Sequence, residues 1–178
     1  MALDDIRDAI PEYARDLKLN LGSVLTPQGA PGLNERQIWS IALACAIASG
    51  NVEFARKIEA LAREKLDEQA VTGARAAAAI MGMNNIYYRF LHLVDDPEYQ
   101  TMPAKLRMNV IGNPGIDRND FELLSLAVSA INGCGLCITA HERKLREHGI
   151  SRETVQSAVR IAATIHAVAG ILEYQQAA

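Results

Sequence analysis

The sequence predicts an all-α domain, and three observations predict it. Strand signals are nearly absent: aromatic residues make up only 5% of the chain, and β-branched alternation is rare. Apolar residues recur instead at helical spacing, on a background rich in alanine. The segments so patterned are separated by proline and glycine and opened by capping residues. A chain of 178 residues is long enough for one domain that buries about 70% of its unfolded surface.

The elements follow in order. A first helix is expected over residues 3–19, with Pro11 in its first turns or splitting it. Residues 23–33 read as a loop marked by Pro27, Gly29, Pro31 and Gly32. Asn34, with Gln37 three residues on, forms a capping box that opens a helix to about residue 47. A second helix spans about 51–65 and a third 67–90. Residues 94–115 carry Pro97, Pro103 and Pro114, and are expected to be irregular with one short helical piece near 104–111. From Asp117 the pattern restarts, with helices expected over 119–131, 134–148 and 151–175.

The second triplet has the order and lengths of the first. Laid over one another, the two match Ser40 with Ser125 and Ala42 with Ala127 and, shifted by one residue, Val71 with Val155 and Ala74 with Ala158. The expectation is a single domain, 1–178, built from approximate repeats at 34–90 and 119–175. In that alignment Ser49 to Val52 stand opposite Cys134 to Cys137, and Arg56 stands opposite His141. One copy holds thiols and the other does not, which fits one active site better than a core-filling role.

Net charge is −3 with no basic patch, which argues against nucleic acid as a partner. Arg, Glu, Asn and His interrupt every long apolar run, so no membrane span is expected. The N-terminus has early acidic residues and no cationic start before an apolar stretch, so it is not expected to be a signal peptide. A cytoplasmic protein follows from this. In a reducing compartment its three cysteines point to redox or metal chemistry rather than to a disulfide scaffold.

Those cysteines raise the functional question in the stretch NGCGLCITAH, residues 132–141. On a helix advancing about 100° per residue, Cys137 lies about 60° and His141 about 20° from Cys134. All three share a face, and Cys137 and His141 form an i,i+4 pair. Glu122, in the first turn expected of the preceding helix, reaches the same face if the two helices pack antiparallel. A free thiol with a pKa near 8.5 is only about 3% ionised at pH 7. Half ionisation needs roughly 2 kcal/mol of differential stabilisation, whereas a helix N-terminus supplies about 0.3–1 kcal/mol. A base must supply the rest, and His141 is on the correct face, with Glu122 to orient it. The helix start favours Cys134 as the lower-pKa thiol, and the contact with His141 favours Cys137. Of the two, the contact with His141 weighs more, because a neighbouring base delivers more than the dipole. Zinc is the competing reading, but Cys134, Cys137 and His141 supply three ligands, and there is no second CxxC or histidine pair. The plainest alternative is two buried cysteines beside a core histidine.

The motif E-x11-C-x-x-C-x-x-x-H over Glu122 to His141 resembles the active-site motif of the AhpD alkyl hydroperoxidase family, in the carboxymuconolactone decarboxylase-like superfamily. The likeness extends to AIPEYARDLKLNL, IMGMNNIYYR, LRMNVIGNPGI and FELLSLAVSAINGC, and so covers essentially the whole chain. It implies an all-helical antioxidant enzyme, commonly a homotrimer, that reduces organic hydroperoxides. It implies that Cys137 is oxidised to a sulfenic acid and that Cys134, the resolving thiol and a proton donor, closes a Cys134–Cys137 disulfide. Glu122 and His141 match the family's proton relay. No bound cofactor is implied: reducing equivalents come from lipoyl groups on a 2-oxoacid dehydrogenase component, fed by dihydrolipoamide dehydrogenase and NADH. The peroxiredoxin AhpC is a further electron acceptor. On this reading Cys134, nearest the helix start, receives the external dithiol. One position departs from the family pattern: Leu136 stands where the best-known form of the motif has a second histidine. Other expectations are a general disulfide reductase, a thiol redox sensor and, more weakly, decarboxylase chemistry.

Residues outside the motif read as structural. Cys45 is a small core residue, His166 a hydrogen-bonded interior histidine, and His92 and His148 surface residues. Met81, Met83, Tyr87 and Tyr88 read as core or subunit interface, or as the wall of an approach for an acyl chain. Trp39 anchors the first repeat, and ARKIEALAREKLDEQ is a solvated face.

Overall fold

Asn34 and Gln37 close the expected capping box: the Gln37 amide donates to Asn34 Oδ1 at 2.9 Å, and the Asn34 amide donates to Gln37 Oε1 at 3.0 Å. This box opens a deeply buried helix. The structure, a computed structural model, describes residues 2–176. Among them are ten α-helices and no strand, so the chain is all-α.

The helices are α1 (Leu3–Asp8), α2 (Arg15–Val24), α3 (Glu35–Ala48), α4 (Val52–Ala62) and α5 (Glu68–Leu93). After them come α6 (Glu98–Thr101), α7 (Asn109–Gly112), α8 (Arg118–Ile131), α9 (Gly135–Glu147) and α10 (Arg152–Gln176). Pro11 splits the first expected helix, because its ring cannot sit in a helix interior; a single 3-10 turn, Glu12–Ala14, bridges α1 and α2. α2 then runs to Val24, past the expected start of the loop. The irregular segment holds two short helices rather than one near 104–111. Lys105 has a left-handed backbone, φ 51°, and keeps that stretch from continuing as a helix.

α3 is buried from Ile38 to Ala46. Alanines at its contacts with α5, α8 and α10 let helix axes approach closely; Ala42, Ala74, Ala127 and Ala158 are all fully buried. Each fully buried Leu, Ile or Phe adds roughly 1.5–3 kcal/mol of transfer free energy, and Phe54, Phe121, Ile38 and Leu43 are of this kind. Trp39 and Cys45 join the same core. The packing is reciprocal between triplets: α3 touches α4, α5, α8 and α10, while α8 touches α9, α10, α5 and α3.

α10 differs from its expectation. Despite Arg160 and His166, its Arg152–Gln175 stretch is long and apolar enough to cross a membrane. It packs along α2, α3 and α8, with Ile161, Ile165 and Val168 fully buried there.

Candidate active site

The site is built where α8 hands over to α9. α8 ends at Ile131 with Asn132 as its C-cap, and Gly133 takes a left-handed φ of 65° that reverses the chain. Cys134 then sits extended at the N-cap of α9, one step outside the helix proper. Its Sγ accepts the Cys137 amide at 3.3 Å, as a capping oxygen would. α4 begins in the same way: Gly50 has φ 86°, and Asn51 Oδ1 accepts the Phe54 amide at 2.8 Å. The cap geometry therefore pairs Asn51 with Cys134 and Phe54 with Cys137, two residues away from the register given by the sequence alignment.

The turn is held from α5. Arg89 donates to the Asn132 carbonyl at 2.6 Å. Asn85, fully buried, donates to Ser129 Oγ at 2.8 Å and accepts from Asn132 Nδ2 at 2.9 Å. The Cys134 amide donates to the Ser129 carbonyl at 3.1 Å. These bonds fix where the two sulfurs stand.

Cys134 and Cys137 form a disulfide. Cys134 is wholly buried, whereas Cys137 keeps 7% exposure. The sequence reading gave the external dithiol to Cys134, whereas the residue nearer the surface is Cys137. The helix start hides Cys134 beneath its own first turn.

Glu122 reaches this face from α8, as antiparallel packing allows. Its Oε2 lies 2.6 Å from His141 Nδ1, and its Oε1 accepts from Lys144 Nζ. Burial pushes the Glu122 carboxyl up, but the hydrogen bonds and charges of His141 and Lys144 outweigh it. The group is held below the usual carboxylate range. A carboxylate only accepts, so the proton between the two residues sits on His141 Nδ1 and Nε2 is left as the basic nitrogen.

Cys137 and His141 line one cavity of about 280 Å³ between α5 and α9, bordered by the α7 segment. Met81, Tyr88, Met108 and Leu136 give it an apolar wall. Of the residues read as core, interface or the wall of an approach, Met81 and Tyr88 line this cavity, whereas Met83 and Tyr87 do not. Leu136 occupies the wall, so the position has no imidazole to offer. Among the described residues no group of three His, Cys, Asp or Glu side chains is placed to hold a metal ion.

The other candidates stay apart from the site. Cys45 lies in the core, where burial pushes its thiol far above the ordinary range. His92 and His148 are exposed. His166 is exposed too, rather than interior, with Nδ1 3.3 Å from Ser49 Oγ; α10 turns that position away from the packed face.

The chain resembles known proteins over nearly its whole length. It is 55% identical over 173 residues to an alkyl hydroperoxide reductase AhpD of Streptomyces griseus, covering 97% of this chain and 96% of that one. It is 54% identical to the alkyl hydroperoxide reductase AhpD of Streptomyces avermitilis, with the same coverage. To that of Maricaulis maris it is 54% identical over 172 residues, covering 97% of this chain and 98% of the other. The chain belongs to the AhpD family. The carboxymuconolactone decarboxylase family model matches residues 97–178, the part that carries the CxxC stretch.

Within this AhpD fold, sequence reasoning missed Lys144, Asn84, Asn85 and Arg89. Lys144 falls three residues after His141, hence on its face, but in a charged helix it reads as a surface lysine. The Asn84-Asn85 pair was the better signal. Two poor helix formers in mid-helix are out of place unless their amides have work elsewhere.

Proposed function

We propose that this chain is a thiol peroxidase that reduces organic hydroperoxides through a Cys134–Cys137 dithiol/disulfide cycle. One arrangement carries the reading. A disulfide at a helix start shares its face with a carboxylate-oriented histidine, and only its outer sulfur residue, Cys137, lines an apolar cavity. The relatives' names, alkyl hydroperoxide reductase, point to the same substrate class.

In the oxidative half, His141 Nε2 takes the Cys137 proton, and the thiolate attacks the terminal oxygen of the hydroperoxide. The O–O bond breaks, sulfur is oxidised to the sulfenic acid, and the alkoxide takes the proton back from His141 to leave as the alcohol. Cys134 then attacks Cys137 Sγ; the S–S bond forms and water departs. In the reductive half, a dihydrolipoyl thiolate attacks Cys137 Sγ and releases Cys134 as thiolate. Cys134 is a good leaving group there, since the N-cap position and the Cys137 amide favour its charge. The second lipoyl thiol displaces Cys137 and completes a lipoyl disulfide.

The reductant is a lipoylated 2-oxoacid dehydrogenase component recharged by dihydrolipoamide dehydrogenase, with AhpC as a further partner. The compartment is the cytoplasm, where the dithiol is kept reducible. The assembly is a homotrimer, for which Ile86, Phe90 and Leu93, an exposed apolar stripe along α5, offer a surface. The two helix triplets are copies of one ancestral unit, a reading that the like caps at Asn51 and Cys134 support.

Mixing the reduced protein with tert-butyl hydroperoxide tests the reading, with dihydrolipoamide, dihydrolipoamide dehydrogenase and NADH supplied for turnover. Many turnovers are expected, abolished in Cys137→Ser. A single stoichiometric oxidation without turnover would make the protein a redox sensor. Turnover with small disulfides but not peroxides would make it a general disulfide reductase.

A further inference from the structure

Asn84 stands between Met81 and Tyr88 on the α5 face that lines the Cys137 cavity. It is 4% exposed, and its Oδ1 is one of two buried side-chain oxygens or nitrogens without a hydrogen-bond partner among the described residues. Its neighbour Asn85 spends both amide atoms on Ser129 and Asn132, so the two asparagines have different tasks. An unpaired buried acceptor costs about 1–3 kcal/mol, and natural proteins rarely carry one without a use for it. The walls around it, Met81, Tyr88, Met108, Ile111 and Leu136, offer mainly apolar surface. At about 280 Å³ the cavity falls just below the usual range of ligand pockets, roughly 300–1,000 Å³, in keeping with a small substrate.

We infer that Asn84 is the polar anchor of this cavity: its amide oxygen accepts the terminal O–H of an apolar hydroperoxide and so positions that oxygen before Cys137. The inference rests on the peroxidase reading above and adds to it the residue that selects and orients the substrate. An alkyl hydroperoxide has one hydrogen-bond donor, its terminal O–H, and an apolar remainder. The cavity offers the complement, an apolar wall with the unpartnered Asn84 acceptor on the α5 side, apart from His141 on α9. Asn84 takes no proton and forms no bond to sulfur. The thiolate breaks the O–O bond, sulfur is oxidised, and the alcohol leaves with the proton from His141, as before. Asn84 is a positioning residue, and its contribution is to k for oxidation alone.

Asn84→Leu keeps the side chain's shape and removes the acceptor. Oxidation of the reduced variant by tert-butyl hydroperoxide, followed by stopped flow, is expected to slow by about tenfold, the weight of one hydrogen bond. Re-reduction of its disulfide by dihydrolipoamide, and the thiolate titration at 240 nm, are expected to stay within twofold of wild type. An unchanged oxidation rate overturns the inference. Equal slowing of both half-reactions also overturns it, since Asn84 would then only be supporting the helix. If wild type itself is not oxidised, the peroxidase reading fails first and takes this one with it. A second measurement needs no substitution at Asn84. Cumyl alcohol, the product of cumene hydroperoxide, carries the same O–H and an apolar body. Titrated into the oxidised wild-type protein, it is expected to shift the Asn84 side-chain amide resonances, while unmoved resonances at millimolar alcohol overturn the inference.

Discussion

Glu122 and His141 meet across the α8–α9 interface, with Oε2 2.6 Å from Nδ1. The bond fixes the imidazole's tautomer and its rotation, so Nε2 is the nitrogen left for chemistry. Glu122→Gln preserves the shape but replaces the charged acceptor with an amide that can present either O or N. Hydroperoxide oxidation of the reduced variant should slow roughly 10- to 100-fold, the usual weight of a residue that orients a functional histidine. Stopped-flow rates against wild type at pH 7 measure it. A change under threefold would remove Glu122 from the relay.

The same carboxylate makes stability depend on pH. Its folded pKa lies below the ordinary 4.5, so its contribution is complete above about pH 4.5 and is lost as pH falls through the folded value. Lys144 holds the second oxygen. In Lys144→Met the lysine stem remains, the charge goes, and the Glu122 pKa rises toward its ordinary value. Urea midpoints should separate wild type from Lys144→Met most at neutral pH and converge as pH falls through the folded Glu122 value. Oxidation by hydroperoxide should slow only a few-fold, because His141 keeps its partner. Parallel curves at every pH would deny Lys144 any electrostatic share.

Local chemistry was legible in the sequence, and what depends on a distant partner was not. The Asn34 box, the face shared by Cys134, Cys137 and His141, and the start of each long helix follow from spacing within one turn. Pro11 marked a break, but whether it would split a helix or open one depended on how α1 and α2 pack. Lys144 had the correct angular position yet no visible partner, since Glu122 lies 22 residues away on another helix. The interior placing of His166 failed for the same reason. An apolar helix such as α10 shows which residues are greasy, and only packing shows which side faces the core. Nothing local foretold the left-handed Lys105.

Gly32, Gly50 and Gly133 are three of the five described glycines with a left-handed backbone, yet replacing each with alanine should differ in consequence. At Gly50 an added Cβ meets nothing within 4 Å, and at Gly133 only Arg89 Nη1 at 4.0 Å. Both should lose about 1–2 kcal/mol, the strain of the backbone alone. At Gly32 the Cβ would stand 2.1 Å from Thr154 Oγ1 and 3.3 Å from the Thr154 Cα on α10. Strain and clash combine there, and Gly32→Ala should be the least stable of the three by thermal unfolding. Gly133→Ala alone should also slow disulfide exchange, because that turn carries Cys134.

Asn85 joins α5 to the turn before the thiols, through Ser129 Oγ and Asn132 Nδ2. Asn85→Leu fills the same space and leaves both partners inside the protein without it. An orphaned buried polar group costs about 1–3 kcal/mol, so the variant should fall by roughly that amount or more in urea unfolding. Ser129→Ala, which orphans only one Asn85 donor, should lose less. The two substitutions touch one network, so the double variant should be less destabilised than the sum of the singles. Additive losses would mean that Asn85 and Ser129 act independently. The turn would then be held mainly by Arg89 on the Asn132 carbonyl, and Arg89→Met would become the variant that releases Cys134.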